Sequence, residues 1–247
     1  VLLDNGEVID ANFADPVIRI SDGSYLAFGD AVVGKVMIGF STDPSFRSNV
    51  SSTETSVGSS SWSLTAALTP GGHHVRLYLE TEGKIKTMIS EKDNFVKFHS
   101  ESSPVFYDLT GSRVHGLTPR DPNITVNDLG VFAMTWDNRP ATKDYAPGGA
   151  QDATATSPTF GLAFSVDGLR WMVYSNEMRL EGPLPVTKTT AECFTQPTGS
   201  LRPVVPVFLT GDQIRLYFTS EISRGGGLSC RTHLNNPSCS LGTAISN

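Results

Sequence analysis

Apolar residues along this chain fall in short runs, alternating or continuous, and no window keeps the three-and-four spacing of an amphipathic helix. The stretch "FADPVIRISDGSYLAFGD" (Phe13 to Asp30) sets the pattern: two β-branched and aromatic runs joined by a Ser-Asp-Gly turn. Clusters of Gly, Pro, Ser, Asn and Asp separate the runs elsewhere, so the elements predicted are strands and tight turns throughout.

One plan recurs four times: a first strand, a turn, a second strand ending in an acid or polar residue, and a third strand ending in Ser. It reads "DPVIRISDGSYLAFGD" with "KVMIGFSTD", then "SLTAALTPGGHHVRLYLE" with "KIKTMISEKD". The third copy is "DPNITVNDLGVFAMTWD" with "PTFGLAFSVDGLRW", and the fourth "RPVVPVFLTGDQIRLYFTSE" with "SLGTAISN". Gly23, Gly72, Gly130 and Gly211 occupy matching turns, and Ser41, Ser90, Ser165 and Ser246 matching strand ends. Asp121 to Gly130 and Arg202 to Gly211 both span nine residues, and Asp15 to Gly23 spans eight.

A unit of three or four antiparallel strands cannot bury both faces alone. Repeating it around an axis packs each sheet on the next and shortens the exposed edges. The expected fold is therefore all-β: a single β-propeller domain over residues 1–247 with four recognisable blades. The N-terminal "VLLDNGEVID" supplies a strand to close the ring, and a fifth blade has room between Arg139 and Ser157. A β-sandwich is the alternative.

Composition narrows the partners. A formal net charge of −6, with the Lys-bearing stretch "KIKTMISEKDNFVK" balanced by acids, argues against a nucleic-acid partner. No apolar run approaches the ~20 residues of a membrane helix, and a monomer free of membrane is expected. Cys230 and Cys239 bracket a polar loop that a disulfide could close, leaving Cys193 over. With the sequons Asn49-Val50-Ser51 and Asn123-Ile124-Thr125, they point to a secreted glycoprotein. No His, Cys and Asp set has zinc-like spacing, so neither metal nor cofactor is expected.

The stretches "ADPVIRISDGSYLAF", "DPNITVNDLGVFAM" and "SVDGLRW" resemble the furanosidase-type propellers, glycoside hydrolase family 43 and its relatives. The resemblance spans the chain as a pattern of blades. It implies a five-bladed enzyme acting on arabinans, xylans or fructans, in which Asp15 is the general base that activates water. Asp121 then orients the acid and tunes its pKa. The acid itself is typically the Glu of a Glu-Gly-Pro, here Glu181-Gly182-Pro183. "SVDGLRW" is also similar to the Asp-box turn of sialidase-like blades, a structural device.

In a propeller the innermost strand of each blade begins beside the central channel. Asp15 and Asp121 would then meet across one pocket, and an inverting hydrolase needs its two carboxyls roughly 6.5–9.5 Å apart to admit water. The aligned position of the fourth repeat is Arg202, which donates no proton at neutral pH. Either Glu181 reaches the pocket through "LEGPLPVTKTTAECFTQPTGS", or the acid is absent. Trp136, ending a second strand, and His115, preceding the third repeat, are candidate substrate-binding residues beside Arg202.

Each has a plainer role open to it. The aspartates cap turns before proline, His115 and His73-His74 are surface residues, and Trp62, Trp136 and Trp171 wedge between blades. Three functions follow: a glycoside hydrolase, a carbohydrate-binding propeller without turnover, and a propeller enzyme orienting a small apolar molecule for cyclisation or isomerisation.

Overall fold

The computed structural model describes residues 13–29, 34–44, 46, 50–57, 63–81, 84–137, 160–178, 200–209, 213–221 and 239–245. Among them every regular element is a strand. The first sheet holds β1 (Phe13–Arg19), β2 (Tyr25–Gly29), β3 (Lys35–Ser41) and β4 (Ser51–Ser56) in chain order. The second holds β5 (Ser63–Leu68), β6 (Val75–Thr81), β7 (Lys84–Glu91) and β8 (Asn94–Ser100). After a short strand β9 (Val105–Tyr107), the third sheet runs through β10 (Arg120–Val126), β11 (Phe132–Asp137), β12 (Phe160–Ser165) and β13 (Arg170–Met178). β9 joins that sheet's outer edge, parallel to β13. The fourth sheet is β14 (Ser200–Phe208), β15 (Ile214–Glu221) and β16 (Cys239–Ile245).

Each sequence repeat is thus one antiparallel sheet, and the sheets are blades of a β-propeller. Strand β5 lies between β1 and β10, and β10 between β5 and β14, so the first strands of successive blades stand side by side. Two apolar cores fill the gaps. Leu26, Phe28, Val36 and Ile38 of the first blade pack on Leu64, Val75, Leu77 and Leu79 of the second. On the second blade's other side, Tyr78 and Ile85 pack on Phe132, Met134, Trp136 and Trp171 of the third. Period-2 alternation supplies both faces, because Leu77 and Leu79 turn one way and Tyr78 the other.

The repeated serines have a common task. The Oγ of Ser41 accepts the Asp43 N–H, that of Ser90 accepts the Val75 N–H, and that of Ser165 accepts the Gly168 N–H. All three serines are buried, and each hydroxyl satisfies a backbone donor. Gly23, Gly72 and Gly130 close turns at φ of 88°, 76° and 80°, where a Cβ would be strained.

The expected N-terminal closing strand, Gly211 and Ser246 lie outside the described residues. So do Cys193 and Cys230, while Cys239 opens β16. The stretch proposed for a fifth blade, 139–157, is also outside them. Its flanks β11 and β12 pair directly, from Phe132↔Ser165 to Asp137↔Phe160, so it links two neighbouring strands of the third blade. Among the described residues no helix is long and apolar enough to cross a membrane.

The "SVDGLRW" turn between β12 and β13 ties the second blade to the third. Asp167 Oδ1 accepts N–H groups from Leu169 and Arg170 at 2.8 and 2.7 Å, and the Trp171 indole donates to the Gly168 carbonyl. From β6, the Tyr78 hydroxyl donates to the same carbonyl at 3.0 Å, and the Arg76 guanidinium donates to the Asp167 carbonyl. Arg76 also forks onto Glu101, at 2.6 and 2.8 Å. Burial opposes the Arg76 charge, yet the Glu101 hydrogen bonds hold its pKa above the ordinary value.

Removing one partner of a buried pair strands the other charge, so Glu101→Ala should cost about 3–5 kcal/mol in urea unfolding. Gly168 sits at φ 73°, and a Cβ there would meet the Arg76 and Tyr78 side chains. Gly168→Ala should therefore lose at least the roughly 1–2 kcal/mol of a left-handed Cβ clash. Unchanged midpoints in both variants would remove the brace from the fold's stability.

Asp167 adds a pH signature. Partial burial works to raise its pKa, but the Arg170 and Leu169 N–H groups and the Ser165 hydroxyl bring it below the ordinary 3.8. A depressed carboxylate stabilises the fold fully above the unfolded value and loses that contribution as pH falls through the folded one. The stability gap between wild type and Asp167→Asn should be widest above pH ~5 and narrow towards pH ~3. A gap that does not change between those pH values contradicts the assignment.

Candidate active site

Strand register defines two ends of the wheel. Ser63, Arg120 and Ser200 lie at or near the starts of their innermost strands and pair with Glu80, Asp137 and Glu221 at the ends of the second strands. Phe13 pairs with Gly29 in the same way. This is the mouth end; the "SVDGLRW" turn lies at the other.

Three innermost strands share a break at the mouth. Register shifts occur between Ala14 and Ile18 in β1, Arg120 and Asn123 in β10, and Arg202 and Val205 in β14. The first two breaks each take in an Asp-Pro step, Asp15-Pro16 and Asp121-Pro122, whereas the third takes in Pro203 and leaves Arg202 paired with Thr219. Proline has no N–H to give the ladder, so it is tolerated on an edge strand at a bulge. Strand β5 has no proline and pairs without a shift. The bulge answers why an Asp-Pro opens the first and third repeats: in those two blades it puts the residue before proline out of the ladder at the same rank.

Asp121 shows what the bulge does to the backbone. It adopts φ 43°, which few non-glycine residues occupy and which persists only where the surroundings impose it. The Asn123 side-chain amide donates to the Asp121 carbonyl at 3.0 Å and helps fix the turn. That same amide nitrogen would carry a glycan at the Asn123 sequon. Asn49 of the other sequon lies outside the described residues.

Asp121 is half-buried in β10 and β1 carries Asp15 at the matching rank, while Arg202 of β14 stays in the ladder opposite Thr219. Glu181 falls outside the described residues. His115 is exposed on the segment leading into β10, where it lines a groove beside the second blade. Trp136 is only 1% exposed: its indole lies edge-on to Phe106 at 5.8 Å and covers Gly161, where a Cβ would collide with the ring. Its burial makes it part of the core between blades two and three. Trp171 is buried in that same core, and Trp62 lies outside the described residues.

One acid that the motif reading passed over is Glu80. It closes β6 at the mouth end, opposite Ser63, and is 5% exposed. It shares strand parity with Arg76 and Tyr78, which turn towards the third blade, and Thr65 is buried two residue pairs away on β5, opposite Tyr78. Its signal was the acid ending "VRLYLE", at the rank of Asp137 and Glu221. Buried carboxylates at a cleft are groups whose protonation an active site tunes. His73 and Asp93 instead form an exposed pair at 2.8 Å on the opposite end. Among the described residues no three His, Cys, Asp and Glu side chains converge to hold a metal.

Solved structures share the fold. An endo-arabinase from Bacteroides thetaiotaomicron VPI-5482 superposes with a TM-score of 0.57 over 96% of this chain and 75% of its own, at 9% identity. The RS223 β-xylosidase gives 0.51 at 11% identity over 93% and 68%. A GH43_1 enzyme from Xanthomonas citri gives 0.52 at 10% identity over the same shares. The fold is that of a glycoside hydrolase family 43-like propeller. No protein-family model and no curated protein matches the chain by sequence. At such identity the family 43-like likeness carries the scaffold alone, and functional roles rest on this chain's own residues.

A left-handed aspartate is separable from its carboxylate by substitution. Asp121→Gly should leave unfolding stability unchanged or raised, because glycine occupies that φ freely. Asp121→Val should lose about 1–2 kcal/mol. Equal stability of the two variants in urea would show that the backbone is not constrained there.

Proposed function

We propose that this chain is a secreted, glycoside-hydrolase-like propeller that cleaves a furanosidic or related polysaccharide at the mouth of its channel. The observation that carries the reading is the matched pair of Asp-Pro bulges on β1 and β10, with Asp121 in a left-handed backbone. Strain of this kind concentrates at functional sites.

In this reading a water molecule attacks the anomeric carbon while Asp15 takes its proton. The bond from that carbon to the leaving oxygen breaks as Glu181 protonates the oxygen, and the anomeric configuration inverts. Asp121 positions the acid and holds it protonated near neutral pH, the requirement for a carboxyl donor. Arg202, at the third bulge, binds substrate oxygens through its fixed fork of donors.

The test is reducing-sugar release from arabinan, xylan and aryl furanosides. Asp15→Asn and Glu181→Gln should each lower kcat/KM by roughly 10²–10⁴-fold, with thermal unfolding unchanged. If Glu80→Gln abolishes release and Glu181→Gln does not, the donor is Glu80 and the proposed role of Glu181 is wrong. Binding of the polymers without product would reduce the mouth to recognition. No binding and no release would leave the small-molecule enzyme as the surviving function.

A further inference from the structure

A concave site lies away from the innermost strands. A groove of about 260 Å³ separates the start of β7 in the second blade from the segment that connects β9 to β10. Its size is just under that of drug-sized pockets, and it suits one small ring. Ile85, Phe106 and Leu117 give it an apolar floor, and Pro104 and Pro119 stiffen its walls.

Its polar lining has a single sign. Lys84, Arg113 and His115 are exposed and line the groove, and no carboxylate does. Among the described residues none of the three has a side-chain hydrogen bond or ion pair. Lys35 and Lys97, by contrast, lie 2.9 and 2.6 Å from Glu54 and Glu91. Asp108, the acid in the adjoining hairpin, directs its Oδ1 at the Thr110 and Ser112 N–H groups. In a protein of net charge −6, this groove gathers three nitrogen donors with no acid partner among the described residues around one apolar floor.

The groove is a built feature. Tyr107 and Arg113 bridge as antiparallel partners, the Val114 N–H donates to the Phe106 carbonyl, and β9 is zipped onto β13. Arg113 and His115 are therefore presented from a short hairpin anchored on the third blade. The segment's end, Pro119, adjoins Arg120 and Asp121 at the start of β10.

We propose that this groove binds an acidic sugar, a hexuronate residue of the glycan, with the ring's C–H face on the apolar floor and its carboxylate on Lys84 and Arg113. His115 donates to a ring hydroxyl. The inference rests on the glycan reading above and deepens it: the preferred substrate is an acid-decorated polysaccharide, held by a uronate side group.

Binding of D-glucuronate and D-galacturonate, each against the neutral D-glucose and D-galactose, is measured by NMR titration with the whole chain. Inorganic phosphate serves as a plain-anion control. The uronates should bind more tightly than both neutral sugars and phosphate. Lys84→Met and Arg113→Met should each weaken uronate binding roughly three- to tenfold without altering thermal unfolding, and raising salt should weaken it further. Neutral sugars binding as well as uronates would overturn the proposal, as would phosphate binding as well as uronates with the same dependence on Lys84 and Arg113.

The two readings fail separately. If the groove alone is right, Lys84→Met weakens uronate binding in the titration, Asp15→Asn leaves it unchanged, and no polymer is cleaved. If hydrolysis alone is right, arabinan is cleaved and uronates fail to titrate the groove. With both right, Lys84→Met raises KM for a glucuronate-bearing xylan with kcat unchanged and leaves neutral arabinan kinetics as they were.

Discussion

Strand β6 is buried from Val75 to Glu80 on both of its faces, and a sheet with that property has to be covered on both sides. Val75, Leu77 and Leu79 meet the first blade while Tyr78 meets the core of the third. A two-layer sandwich covers one face of each sheet and leaves the other to water, with the inside-outside alternation that follows. The second blade has no such polar face over β5 and β6. Rotation about an axis is the arrangement that gives each sheet two neighbours, and the side-by-side order of β1, β5, β10 and β14 is its direct consequence. Everything at the mouth follows from it, because only that order lines up the starts of the innermost strands.

The two ends of the wheel then solve different problems. At the far end the chain invests in satisfaction: Ser165, Asp167, Arg76 and Glu101 leave the Gly168 turn with its donors and acceptors paired. Such a network is rigid because each member fixes the next, and Glu101 is held to Arg76 by two hydrogen bonds rather than one. At the mouth the ladder is interrupted instead, three times, at X-Pro steps. A bulge surrenders a sheet hydrogen bond and re-aims the residue beside it, a cost that the braced end can carry. The division explains how one small blade can be both tightly locked and locally strained.

Much of this was legible in the residues. Turn glycines and strand-end serines have fixed spacing because each meets a local demand, a positive φ or a buried N–H, and local demands leave a mark in sequence. The Asp-Pro openings were legible for the same reason, although their meaning as bulges was not. What escaped was long-range. Arg76 and Asp167 are ninety-one residues apart, and nothing in "HHVRLYLE" says that its arginine will be buried against another blade's turn. β9 escaped because three residues pairing in parallel with a distant edge carry no period of their own. Trp136 at its strand end was open to two roles, substrate binding or a wedge between blades. Parity favours the second: it falls in step with Phe132 and Met134, which turn into the core between blades.

Net charge is similarly a poor guide to a groove. The sum of −6 bears on long polyanions, which sample a surface much wider than the ~10 Å Debye length at moderate salt. A single carboxylate samples only what lies within that length, and there the count of unpaired groups matters more than the total. Lys35, Lys97 and Arg76 all sit on acids, so their fields are largely cancelled at close range. Lys84, Arg113 and His115 have no such partner among the described residues, and the apolar floor beneath them limits screening by water. A chain of net negative charge can therefore attract a uronate at one place, provided that its cations there are left uncompensated.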